Sequence, residues 1–272
     1  MEHIKEALEK ARQERLLRQG DADALSTTAA PGSSAGPGPV VTPRVSLDEA
    51  VLRDNRILAA MPPGPFSESF NLLRTRILQI FKEHKWSTLA VTSAGPGAGK
   101  TLTAINLAIS IAREVDHTVL LVDANLQQPW LLDHFGLPHR KGLGDYLAGD
   151  LPLSELLLRP GIVERLVVLP GGRPLSNSSE MLSSPKMTRL VEEMKSRYRD
   201  RIIIFDLPPL LTSSDTLAFA PQVDAALLVI EEGVTRKEEL EQAVDLLSVT
   251  NIVGTVLNKA DTQDNLGGNQ DV

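Results

Sequence analysis

From Ser87 onward the chain keeps interrupting charged, amphipathic stretches with short runs of Val, Ile, Leu and Ala: STLAVTS, HTVLLVDA, RLVVLPG, RIIIFDLP, AALLVIEEG and IVGTVLNK. A strand with one wet face alternates polar and apolar residues, so uninterrupted apolar runs mark strands buried on both faces. Between them, TLTAINLAISIAREV, SPKMTRLVEEMKSRYR and RKEELEQAVDLLSV space their apolar residues as helices do. Strands buried on both sides and alternating with helices predict an α/β fold, a mostly parallel β-sheet flanked by helices. Ligands in such folds gather at the carboxyl ends of the strands.

The first run ends in SAGPGAGKT, Ser93 to Thr101, and a helix follows at once. Gly95, Gly97 and Gly99, interleaved with Pro96 and Ala98, leave backbone N–H groups free to wrap a polyphosphate. The first helical residues, Lys100, Thr101 and Leu102, complete the binding segment at the positive end of the helix dipole. In this pattern Lys100 reaches the β- and γ-phosphates and the Thr101 hydroxyl meets Mg²⁺, which makes the domain a P-loop NTPase. Ala94 stands where the usual consensus has glycine. Two other runs end in a carboxylate. RIIIFD delivers Asp206, placed to hold Mg²⁺ through water, and VLLVD delivers Asp123 in the same way. TVLNKAD ends another strand with Asn258, whose amide is a candidate partner for adenine.

Composition narrows the function further. The 272 residues include no cysteine, which removes thiol nucleophiles, zinc-thiolate sites and iron–sulfur ligation. A formal charge of −7 argues against a general grip on nucleic acid. No apolar run reaches the roughly 18 to 20 residues of a membrane span, so a soluble, cytoplasmic protein is expected. His134 and His139, the closest of five histidines, lack ligand spacing on a helix. Residues 1–19 read as an amphipathic helix, a handle for a partner or a helix lying on its own domain. Residues 20–44 read as a flexible linker, 45–262 as the ATPase domain and 263–272 as a disordered tail. Within the domain, order is expected to resume near Val45 to Leu58, where Ser46 offers a helix N-cap and Glu49 a capping-box partner, and a second helix is expected over about Ser67 to Lys82.

With these motifs in place, Leu58 to Asp261 resembles the bacterial tyrosine kinases of capsule and exopolysaccharide assembly, of the chain-length-determinant type, within the deviant Walker A ATPases. Ser93, Pro96, Gly97, Gly99, Lys100 and Thr101 fit that family's loop; Asp206, Pro208 and Pro209 fit its Asp-x-Pro-Pro motif; and Gly171, Asn177, Glu180, Leu182 and Ser184 fit the stretch before it. The resemblance implies ATP and Mg²⁺ as cofactors, Lys100, Asp123 and Asp206 as catalytic residues, and Thr101, Asp123 and Asp206 around the metal. It further implies phosphoryl transfer to protein tyrosine or water that regulates polysaccharide polymerisation and export, a membrane-anchored co-polymerase as partner, a peripheral place at the inner membrane through that partner, and a weak homo-oligomer.

The chain also departs from the pattern. The second motif, Asp-x-Asp-x-Arg in the family, reads Asp123, Ala124, Asn125, Leu126, Gln127; the oligomerisation helix keeps Glu68 and Arg74 around Asn71; and the only tyrosines are Tyr146 and Tyr198, with none in the tail. Slow hydrolysis and little autophosphorylation in isolation follow from these changes. Two other readings stay open: a nucleotide-gated switch that engages the co-polymerase without phosphorylating tyrosine, and a spatial-organising ATPase of partition type.

Overall fold

Each apolar run forms a strand of one parallel sheet. The structure, a computed structural model, describes residues 42–62, 64–197 and 200–260. The helix expected over residues 1–19, the linker up to residue 41, Tyr198 and the tail lie outside the described residues. In chain order the strands are β1 (Arg44–Val45), β2 (Thr88–Ser93), β3 (Thr118–Asp123), β4 (Arg159–Pro160), β5 (Leu166–Leu169), β6 (Arg201–Asp206), β7 (Ala225–Glu231) and β8 (Asn251–Asn258). β1 and β4 pair with each other, while the remaining six form a sheet in the order β5-β3-β6-β2-β7-β8, all parallel.

Burial follows the order. Every residue of β2, second from neither edge, is buried, whereas β8 at the edge is exposed or half-buried along its length. Because successive side chains point to opposite faces, the strands feed two cores. Leu89, Val91, Leu121 and Ile204 pack on one face with Ile105, Ile109 and Phe81. Ala90, Leu120, Ile203 and Phe205 pack on the other with Met187, Leu190 and Met194. The helix Lys100–Ala112 is buried almost all round because it lies between the sheet and the helix Pro65–His84. Asn106 on it is buried but satisfied: its Oδ1 accepts from Ala59 N at 2.8 Å and its Nδ2 donates to the carbonyls of Arg56 and Leu102.

Three local expectations are corrected. The first helix is Glu49–Asp54, and its N-cap is Asp48 rather than Ser46. Asp48 Oδ1 accepts from Ala50 N at 2.8 Å, while Ser46 directly follows β1. Glu49 is thus the first helical residue, where its charge meets the helix dipole. The second helix is longer, Pro65–His84, because Pro sits comfortably in a first turn and Lys85 closes the end in the left-handed region at φ 58°. On this helix Arg74 turns inward: it binds Asn71 Oδ1 at 3.1 Å, the Ser110 hydroxyl and carbonyl, and Glu114 at 3.0 Å. Asn71 in turn donates to Glu68 at 3.2 Å. Glu68 and Arg74, which the resemblance assigns to a subunit contact, and Asn71 between them are thus engaged within the chain.

The amino ends of β2 and β7 are tied by Asp224, whose Oδ2 accepts from Ser87 N and Thr88 N and whose Oδ1 meets Lys195 at 2.5 Å. Burial alone would raise this carboxyl, but Lys195 and the N–H groups outweigh it and hold it below the usual range. A depressed carboxyl contributes stability above its unfolded value and loses it as pH falls through the folded one. Asp224→Ala is therefore expected to cost about 2–3 kcal/mol at neutral pH and less near pH 3, read by urea unfolding at both pH values.

Candidate active site

The glycine-rich loop sits between β2 and the helix Lys100–Ala112, in the strand–loop–helix setting its spacing requires. Gly97 and Gly99 adopt φ of 82° and 87°. At Gly99 a side chain is excluded twice over, since a Cβ there would come within 2.1 Å of Asn258 Nδ2. Gly95 has open space beside it, on a loop whose start is fixed by the Ser93 hydroxyl donating to Gly95 O at 2.6 Å. Ala94 needs no glycine: it is buried in the second core with ordinary backbone angles, and its carbonyl accepts from Leu211 N. Leu102 turns its side chain toward the first core.

Asn258 is placed behind the loop. Its Nδ2 donates to Ala98 O at 2.8 Å, so the amide braces the cradle from β8. Beside it, Glu231 at the end of β7 pairs with Lys259 at 2.8 Å.

Asp123 and Asp206 end adjacent strands in direct register, and Ala124 N donates to Asp206 O. Both side chains are buried. Asp123 is oriented by two backbone donors, Asn125 N to Oδ1 at 3.2 Å and Leu131 N to Oδ2 at 3.1 Å. Burial pushes its carboxyl up to about 8, with the Asp206 charge adding to the rise and the N–H groups and Lys100 opposing it. Burial raises Asp206 as well, against Lys100, the Thr101 hydroxyl and His134. Two like charges in a dry site favour neutralisation of one of them.

Asp206 Oδ1 is buried and has no hydrogen-bond partner. A buried lone pair of this kind is what a Mg²⁺-bound water would satisfy. No group of three or more His, Cys, Asp or Glu that would cage a metal occurs among the described residues. Two carboxylates, a threonine hydroxyl and an open phosphate cradle are nevertheless the donor set of Mg²⁺, which keeps several waters and leans on substrate phosphates. The residues present fit Mg²⁺ with a nucleotide.

The segment after β6 locks this arrangement. Pro208 O accepts the hydroxyls of Thr92 at 2.8 Å and Thr216 at 2.7 Å, and Leu210 N donates to Ser93 O. Thus the Asp-Leu-Pro-Pro segment is stitched to the base of the loop. Three participants are placed at the site only by the fold, among them Gly171, which the sequence shows only as part of the stretch before the Asp-x-Pro-Pro motif. His134 lies near enough to act on the Asp206 charge. Gly171 touches the site so closely that a Cβ would meet Asp123 Oδ2 at 3.3 Å and Pro129 at 2.6 Å. Asp215 is fully buried and accepts from Gln127 Nε2 at 3.2 Å, its other oxygen lacking a partner.

Residues 89–270 match the family described as the CobQ/CobB/MinD/ParA nucleotide binding domain. The chain is 32% identical over 209 residues to tyrosine-protein kinase YwqD of Bacillus subtilis, which covers 76% of this chain and 86% of that protein. It is similar in structure to the kinase domain of the Escherichia coli tyrosine kinase ETK, with a TM-score of 0.65 and 30% identity over 72% of this chain and 78% of that one. It is also similar to the chimerical protein CapA2B2, with a TM-score of 0.70 and 27% identity over 79% and 92% of the two chains.

Proposed function

This chain belongs to the CobQ/CobB/MinD/ParA nucleotide-binding family and, within it, to the bacterial tyrosine kinases, and from that membership we propose that it transfers the γ-phosphoryl group of Mg-ATP to protein tyrosine in capsule or exopolysaccharide assembly. The observation that carries the reading is the pair Asp123 and Asp206, buried side by side at neighbouring strand ends within electrostatic reach of Lys100, with Asp206 Oδ1 unpartnered.

The loop from Gly95 to Thr101 binds the phosphates through its N–H groups, and Lys100 places a positive charge where negative charge builds up in the transition state. Thr101 and Asp206 would hold Mg²⁺, with Asp123 beside it. The metal supplies charge neutralisation for in-line transfer. Asp123 is fitted to take the acceptor proton. Its two backbone donors hold it in one orientation, and the metal beside it would favour the ionised form that accepts a proton. A tyrosine hydroxyl, with a pKa of about 10, needs such a base.

Among the described residues no helix is long and apolar enough to cross a membrane. We assign a membrane-anchored polysaccharide co-polymerase as the partner, through which a cytoplasmic protein is held at the inner membrane; the family's place in capsule assembly supports this. Lys100→Ala and Thr101→Ala are each expected to weaken Mg-ATP binding at least about tenfold in calorimetry. Wild-type affinity in both variants would refute the nucleotide site.

A further inference from the structure

Among the loops that follow β3 and β5 opens a groove of about 470 Å³ whose lining includes Arg140, Lys141 and Arg173. Beside it lies a second cavity of about 10 Å³, a narrow throat whose lining includes Asp123. Pro129, His139, Arg140 and Gly172 line both, so groove and throat are immediate neighbours. The throat has about the room of one water, which is also the room of one hydroxyl. Gly171 at its wall keeps it open, since a Cβ there would crowd both Pro129 and Asp123.

The charges around the groove are unbalanced. Asp145 is occupied locally: one oxygen accepts from Gly142 N at 3.0 Å and Arg173 N at 3.3 Å, and the other lies 3.6 Å from Arg173 Nε. His139 lies 3.4 Å from Asp133. Arg140 reaches only a carbonyl, that of Glu155 at 3.5 Å, and neither it nor Lys141 enters an ion pair among the described residues. Two uncompensated cations therefore flank the entrance to the base, on a chain of net charge −7. Local positive charge within a negative protein steers anionic segments to one place.

We propose that this groove seats the acceptor, and that it selects tyrosines lying in acidic polypeptide segments, with Arg140 and Lys141 gripping the flanking carboxylates while the phenol hydroxyl enters the throat toward Asp123. The proposal rests on the assignment of Asp123 as the base at the acceptor side. An acidic polysaccharide shares the charge but carries no phenol for the throat, so a polypeptide fits the groove better.

The test reads binding, which needs no turnover. Fluorescence anisotropy of the full chain is measured with a labelled peptide Glu-Glu-Glu-Tyr-Glu-Glu-Glu and with its glutamine counterpart, each with a non-hydrolysable ATP analogue and Mg²⁺. The acidic peptide is expected to bind at least about tenfold more tightly at low salt, and R140E with K141E to erase that preference. R140Q with K141Q, which keeps the length of both stems, is expected to lose most of it. Nucleotide affinity, read separately by calorimetry, is expected to stay within about twofold in every variant, so failure of the nucleotide site and failure of the groove give different results. Equal binding of the two peptides, an unchanged preference in the charge-reversed variant, or equally effective competition by a polygalacturonate oligosaccharide would overturn the proposal.

Discussion

Asp206→Asn is expected to raise the melting temperature of the nucleotide-free protein while removing its Mg²⁺-dependent hold on ATP. Two carboxylates are buried in register on adjacent strands, and Lys100 is the cation acting on both. Burying like charges costs several kcal/mol unless one is neutralised. The amide keeps the shape and removes one of the two like charges. A gain of about 1–3 kcal/mol, or about 2–8 °C, is expected by scanning calorimetry.

The pH dependence has a definite sign. Asp123 rises from its ordinary 3.8 to about 8 on folding, so the folded state holds more protons than the unfolded one between those values. The contribution of Asp123 to the stability of the nucleotide-free wild type is then fully present below about pH 4 and is lost as pH climbs toward 8. Asp206→Asn removes the Coulombic share of that rise and should flatten the decline. Mg-ATP should do the same for the wild type, because cation binding favours the ionised pair. A variant less stable than the wild type at pH 8, or one that keeps Mg²⁺-dependent ATP binding, would contradict the site as described.

The architecture was legible in the sequence because strands buried on both faces leave no room for polar alternation, and six such runs admit few arrangements. The phosphate loop was legible because Gly97 and Gly99 need backbone angles that other residues resist. Local caps were less so: Ser46 and Asp48 are both good N-caps two residues apart, and only the path leaving β1 decides between them. What spacing leaves open is where a side chain turns. Asn258 reads as a candidate partner for adenine, and nothing in its spacing shows that its Nδ2 also donates to Ala98 O across 160 residues of chain. Asp215 follows two serines and reads as an ordinary helix start, while its partner Gln127 lies 88 residues away. Contacts of that kind belong to the packed sheet rather than to any local pattern.

The changes at Asn125 and Gln127 should separate into one effect on chemistry and one on stability. Both positions depart from the family's Asp-x-Asp-x-Arg, and taken as a sequence the pair removes a carboxylate and a cation from the phosphates together. The structure divides them. Gln127 Nε2 is directed to Asp215, a buried carboxylate whose second oxygen has no partner. Gln127→Arg would replace a single amide bond with a charge-assisted, two-pronged one to that carboxylate. Its main expected result is a gain of about 1–3 kcal/mol in unfolding free energy, with ATP turnover changed less than about threefold. Asn125 lies beside Asp123, the proposed base: its backbone N–H donates to Asp123 Oδ1, and its side chain is largely buried at the same strand end. Asn125→Asp would add a second proton acceptor there, and general bases contribute about 10²–10⁴-fold. A rise of about tenfold or more in single-turnover phosphoryl transfer is expected from Asn125→Asp alone, and the double variant should show both effects without a large further gain. If Gln127→Arg alone accelerated transfer as much as the double variant, the arginine would be serving the phosphates rather than Asp215, and robust tyrosine phosphorylation by the unmodified protein would show that Asp123 suffices as the only base.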